Sequence, residues 1–158
     1  MATNTLLQKL DIVDSDGVAF SADTSHRRQV ETFIADGAIA LGDLVTFDVV
    51  TGGGAECVIK VIEATANKSA IGAALNAAAA GDQVRVCLSG ICEAQVEGKN
   101  QAGNSAISAG DYLCVGAVAG TLYKFTADQD AVPHAIAVDD VSSAAAAAQS
   151  TVIILKQF

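Results

Sequence analysis

The chain has 158 residues and a mass of 15.9 kDa, which fits one domain of about average size, with or without an arm. Half of it is hydrophobic, but the apolar residues are small: 31 are Ala, aromatics make up 4% and Trp is absent. The net charge of −9 argues against a nucleic-acid partner, which needs a Lys/Arg surplus, and against anionic membrane surfaces. No apolar stretch reaches the ~18 residues of a membrane-spanning helix. Met1-Ala-Thr-Asn-Thr lacks the basic segment and apolar run of a signal peptide, so synthesis in a cytoplasm is expected.

Residues 1–38 differ from the rest and are read as an N-terminal arm with leading strands. Leu6, Leu7, Leu10, Ile12 and Val13 are interrupted by Asp11, Asp14 and Asp16; Phe20 follows, and then the basic knot His26-Arg27-Arg28. Two readings stay open: an extended arm that lies on another surface, or edge strands for the chain's own barrel. On the first, Leu6, Leu7, Leu10 and Phe20 supply apolar contact, and His26, Arg27 and Arg28 supply charge. Asp14-x-Asp16-Gly17 fails as a calcium loop, because Ile12 stands where the first ligand belongs.

From residue 39 to 158 the pattern is that of a β-barrel domain. Leu41-Gly42-Asp43, Ala80-Gly81-Asp82 and Ala109-Gly110-Asp111 each precede an alternating apolar run, at Leu44–Val50, Gln83–Leu88 and Tyr112–Val115. Gly tolerates positive φ and Asp bonds nearby backbone amides, so each phrase reads as a turn opening a strand. Cys57 to Ile62 follows Gly52-Gly53-Gly54 and forms a hairpin with the first run. The triple Gly is not a phosphate cradle, since no Lys-Ser/Thr follows it. Thr121 to Phe125 pairs with the strand before it, and Thr151–Leu155 closes the chain.

Gly42-Asp43 and Gly110-Asp111 stand 68 positions apart, as do Val84 and Val152, which indicates a duplication. The expected units are 42–90 and 110–158, joined by a connecting strand and loop over 91–109. Twofold repetition suits a pseudo-symmetric barrel or sandwich better than a solenoid, which needs ~3 repeats. Around Gly90, Val84, Val86 and Leu88 share a parity with Cys92, Ala94 and Val96, while Glu93, Gln95 and Glu97 have the other. One long strand bent at Gly90 is therefore expected, with Cys87 and Cys92 on opposite faces. The Ala tracts 77–80 and 144–148 are too short for more than one helical turn. The fold class is thus all-β: a small barrel or sandwich of two pseudo-repeated units, with at most one-turn helices.

Chemistry is hard to find. Cys57, Cys87, Cys92 and Cys114 lack the close pairing of zinc ligands and read as buried apolar thiols. His26 and His134 belong to no nucleophile motif, and no G-x-S-x-G is present. Asp139-Asp140 reads as a solvated turn. No enzyme activity, metal or cofactor is expected.

The order Ala38-Ile39-Ala40-Leu41-Gly42-Asp43-Leu44-Val45, Ala80-Gly81-Asp82-Gln83-Val84-Arg85-Val86, Gly90-Ile91-Cys92-Glu93, Gly110-Asp111 and a closing apolar strand resembles the capsid decoration (cement) proteins of tailed bacteriophages, over about residues 28–158. The resemblance implies a virion structural protein that binds the outer capsid surface and reinforces it without catalysis. Its implied partners are the major capsid protein and further copies of itself, a trimer favoured. The longer N-terminal region departs from the commoner family form. Alternatives are a phage tail or host-binding β module, and a lipoyl- or biotinyl-type carrier domain. The Gly-Asp turns also suit such a carrier, and Lys99 in Glu97-Gly98-Lys99-Asn100-Gln101 would be its attachment point.

Overall fold

A computed structural model describes residues 28–49, 59–66, 69–100, 103–126, 132–143 and 146–156. Among them there is no helix. Eleven strands run β1 (Gln29–Ala35), β2 (Leu44–Phe47), β3 (Lys60–Glu63), β4 (Gly72–Ala74), β5 (Gln83–Val96), β6 (Lys99–Asn100), β7 (Gly103–Asn104), β8 (Tyr112–Val115), β9 (Leu122–Lys124), β10 (Ala135–Ala137) and β11 (Ala148–Ile154). The all-β expectation holds. Ala77–Ala80 forms a bridge and a turn, and Ala148 already belongs to β11.

The three Gly-Asp phrases fold alike. Gly42, Gly81 and Gly110 have φ of 86°, 89° and 91°, in the left-handed region that a Cβ disfavours. Each following Asp donates its N–H to the carbonyl three residues back, on Ala40, Ala79 and Ser108. Its carboxylate accepts the N–H of that same residue, at 2.6, 3.4 and 2.8 Å. The turn is thus closed from both ends, and β2, β5 and β8 start one residue after its Asp.

The duplication expected of the barrel or sandwich is present, and it takes the form of two closed rings that share one strand. In the first, β1-β3-β2-β4-β5 closes because β1 also pairs with β5, Phe33 opposite Val84. In the second, β5-β11-β10-β8-β9 closes through the parallel partners Val96 and Leu122, with Glu97 N–H on the Leu122 carbonyl at 2.8 Å. The pairing scheme is the same in both: first strand parallel to third and antiparallel to fifth, second antiparallel to third and fourth, fourth antiparallel to fifth. Each unit therefore begins one strand earlier than the Gly-Asp spacing suggests, at Gln29 and at Gly90. Residues 29–35 belong to the chain's own barrel, and the stretch expected to connect the units supplies the second ring's first strand.

β5 is the one long strand expected, 14 residues with Gly90 at φ 99° in its middle. Its even-numbered residues other than half-buried Gly90 are buried, and they serve two cores. Val84, Val86 and Leu88 pack with Phe33, Val45, Val61 and Ile71 inside the first ring. Cys92, Ala94 and Val96 pack with Leu113, Leu122, Val152 and Ile154 inside the second. Leu44, Ala73 and Cys87 leave the first ring's wall on its outer side and enter the second core as well. β2, β4 and the middle of β5 are consequently buried on both faces. Small side chains suit such walls, because neighbouring backbones approach closely: a Cβ on Gly72 would overlap the Cys87 carbonyl. Here the abundance of Ala has a structural use.

The expectation of opposite faces for Cys87 and Cys92 is overturned. Gln29 pairs with Ser89 but Val30 with Cys87, so β5 carries one extra residue at Leu88. Such a bulge, followed by positive φ at Gly90, breaks the strict alternation of sides. Cys87 and Leu88 are both buried, 0% and 4% exposed, and Cys87 turns into the core that holds Cys92.

Candidate functional site

Among the described residues each strand of both rings is paired on two sides, which disfavours strand addition, so outward side chains and loops are the surfaces for contact. On the second ring's outer wall, Tyr112 of β8 stands opposite Ile136 of β10, Ile136 opposite Ile153 of β11, and Ile153 opposite Ile91 of β5. At about 4.8 Å per strand step this row is about 14 Å long. Tyr112 and Ile91 are 52% and 43% exposed at its ends, and the two isoleucines between are half-buried. Their chain neighbours Leu113, Ala135, Ala137, Val152, Ile154 and Cys92 point inward and are buried. Beside the row lie exposed Glu93, opposite Thr151, and exposed Asp139, whose carboxylate accepts the Thr151 N–H at 3.2 Å. The face is apolar with an acidic border.

Of the contact residues expected from the sequence, Leu6, Leu7, Leu10, Phe20, His26 and Arg27 lie outside the described residues. Asp14, Asp16, Gly52–Gly54 and Cys57 do too. Arg28 is described: it is half-buried, immediately precedes β1, and its charge acts on the Cys87 and Cys92 thiols. Arg28 therefore stands on the barrel near the Ile91 end of the row. The row itself was missed by the parity argument. Its signal was Ile91, an apolar residue on the side of β5 that otherwise carries Glu93 and Gln95.

The remaining polar groups are tied into structure. Asp139 and Asp140 form the exposed turn expected of them, Asp140 accepting the Ala109 N–H at 2.8 Å. Cys87, Cys92 and Cys114 are buried and stand in no disulfide among the described residues, in keeping with their reading as apolar residues. No group of three or more His, Cys, Asp or Glu suited to a metal occurs among the described residues. Lys99 stands in the β6–β7 hairpin, inside the second unit, whereas a carrier's lysine would lie between the halves. Glu63 and Asp43 meet where the rings join; burial, and then the hydrogen bond and charge of Asp43, hold the Glu63 carboxyl above its usual range. His134 is 5% exposed, and its Nδ1 has no hydrogen-bond partner among the described residues. Burial pushes its pKa down, so the ring is kept neutral.

No protein-family model and no curated protein matches the sequence. Among solved structures, the fold is similar to the N base of the head fibre protein gp8.5 of bacteriophage phi29, with TM-score 0.57 and 17% identity. The match covers 82% of this chain and 95% of that one. The shared feature is the fold, over nearly all of the fibre base.

Proposed function

We propose that this protein is a structural component of a phage virion, attached to the outside of the capsid and reinforcing it by binding alone. The observation that carries the reading is the extent of the fold likeness: 95% of a domain that forms the base of a phage head fibre has its counterpart here. An order of turns resembling capsid decoration proteins points the same way from the sequence. The contact is made by the outer row Tyr112–Ile136–Ile153–Ile91, with residues 1–27 laid on the neighbouring surface. Leu6, Leu7, Leu10 and Phe20 serve there as apolar pegs, and His26, Arg27 and Arg28 as charge partners. The occupant is the major capsid protein, through an apolar patch edged by Lys or Arg that faces Glu93 and Asp139. Like-charged acids would oppose a second copy at this face, and complementary charge both steers and orients docking. Many copies on a symmetric shell let modest contacts act together.

The test is co-sedimentation with expanded heads of the parent phage that lack this protein. Wild-type chain is expected to pellet with heads. Ile153→Glu, placing a charge in mid-row, and a chain lacking residues 1–27 are each expected to lose at least tenfold in affinity while their circular dichroism stays native. Failure of the wild type to pellet overturns the function. Full binding by Ile153→Glu, or by the truncated chain, overturns that element's part in docking.

A further inference from the structure

The repeat gives the outer row a counterpart. In the first ring Leu44 stands opposite Ala73, Ala73 opposite Cys87 and Cys87 opposite Val30. Strand for strand, these four correspond to Tyr112, Ile136, Ile153 and Ile91 of the second ring. The first row is covered: Leu44, Ala73 and Cys87 are fully buried and pack in the second core. What covers it is the end of the second barrel. The Gln95 N–H of β5 bonds the Gly42 carbonyl at 2.8 Å, and the Gln149 side-chain amide of β11 bonds the Leu41 carbonyl at 3.2 Å. Gly120, in the turn between β8 and β9, accepts the Leu44 N–H at 2.8 Å and donates its own N–H to the Ala64 carbonyl at 2.9 Å. A Cβ on Gly120 would lie 2.9 Å from the Asp43 carboxyl carbon, so this turn approaches as bare backbone.

We propose that the major capsid protein meets the outer row with the end of a β-barrel, as the second barrel meets the first row. This rests on the virion reading above and adds the form of the partner. Phe125 N–H bonds the Tyr112 carbonyl at 2.8 Å, as Ala64 N–H bonds that of Leu44. The Tyr112 N–H and the Phe125 carbonyl thus stand where the Leu44 N–H and the Ala64 carbonyl receive Gly120. A strand-to-strand turn of the capsid barrel bonds them in the same way, through its backbone.

The two rows differ as a tethered and an untethered contact should. Tyr112 and Ile91 are exposed, and Ile136 and Ile153 are larger than the Ala73 and Cys87 they correspond to. Their border differs in charge. Glu93 holds the position of Thr32, each one residue along from the row's β5 or β1 member's neighbour and opposite Thr151 or Arg85. Asp139 holds that of Asn76: it accepts the Thr151 N–H as Asn76 Oδ1 accepts the Arg85 N–H at 2.8 Å. Neutral residues suffice where the covering barrel belongs to the same chain. Two acids in their place attract and orient a separate barrel with a cationic rim. A second copy, at net charge −9, is the poorer occupant.

Photo-cross-linking on heads tests this. Full-length chain with Tyr112→p-benzoylphenylalanine, or with Ile91→p-benzoylphenylalanine at the other end of the row, is bound to expanded heads lacking the protein and irradiated. Joined peptides are identified by mass spectrometry and placed on the head structure. Both probes are expected on the end of one capsid β-barrel, the Tyr112 probe beside a turn between two strands. Joined peptides from a capsid helix, from the flat face of a sheet or from another copy of this chain overturn the proposal, as does binding without any cross-link. A second readout needs no substitution: the Tyr112 amide of wild-type chain should exchange hydrogen at least tenfold more slowly on heads than free. Unchanged exchange in the bound chain overturns the backbone bond. Wild-type chain that pellets with heads and gives any of these contrary results leaves the virion reading standing, whereas wild-type chain that fails to pellet overturns both.

Discussion

At the residue scale, His134 makes the fold acid-sensitive. Its pKa is depressed by burial below the ordinary imidazole value of about 6.5, and its Nδ1 has no described partner to share a proton with. The unfolded chain therefore binds a proton that the folded chain refuses. The resulting stability is present above the unfolded pKa and is lost as pH falls through 6.5 toward the folded value. The urea midpoint is expected to drop between about pH 7.5 and 5.5, and His134→Leu should flatten that drop; an equal drop in the variant would remove His134 as its source. Glu63 has the opposite sign. Its raised pKa contributes stability below the ordinary carboxylate range, which is lost as pH rises through the folded value, so near neutrality its charge opposes folding. Glu63→Gln is expected to raise the urea midpoint at about pH 7, and the gain should vanish below about pH 4. An unchanged or lower midpoint at neutral pH would show that its charge does not oppose folding.

At the element scale, the Gly-Asp turns grade themselves by geometry. The Asp111 carboxylate accepts the Ser108 N–H at 2.8 Å and pairs with Lys124 Nζ at 2.6 Å, and these two partners hold its pKa below the usual carboxylate range. Asp82 accepts the Ala79 N–H at 3.4 Å and is exposed. Asp111→Ala is expected to cost about 1 kcal/mol, an ordinary net hydrogen-bond contribution, and Asp82→Ala a few tenths. Equal costs would mean that the turn is set by its glycine alone. These turns are legible in the sequence because their chemistry is local: a positive φ and an Asp that reaches back three residues are written in adjacent letters. The parity of β5 was legible for the same reason. The bulge at Leu88 was not, since it depends on which residue of β1 lies opposite, and that partner is more than fifty positions away. The outer row was hidden in a similar way. Tyr112, Ile136, Ile153 and Ile91 come from four separate runs, and only the register of β8, β10, β11 and β5 sets them side by side.

At the scale of the whole molecule, the repeat was visible in the Gly-Asp spacing, whereas the sharing of one strand by two rings was not. β1 was hard to recognise because only Phe33 and Ala35 of its seven residues are buried, which gives too little alternation to mark a barrel strand. The sharing has a mechanical consequence. Leu44, Ala73 and Cys87 belong by pairing to the first ring but pack in the second core, and the Gly42 carbonyl accepts the Gln95 N–H while Gly120 accepts that of Leu44, both at 2.8 Å. Neither core can open without exposing apolar surface of the other, so the two rings should unfold as one unit. Leu88→Ala in the first core and Leu113→Ala in the second each truncate a buried isobutyl side chain to a methyl and are expected to cost about 2–5 kcal/mol. Hydrogen exchange read by peptide tells one unit from two. Leu88→Ala should accelerate the slowest amides of β10 and β11 by the same factor as those of β1 and β4. If only the first ring's amides respond, β5 is a hinge between two independently folding barrels, and the packing of Leu44, Ala73 and Cys87 into the second core does not couple them.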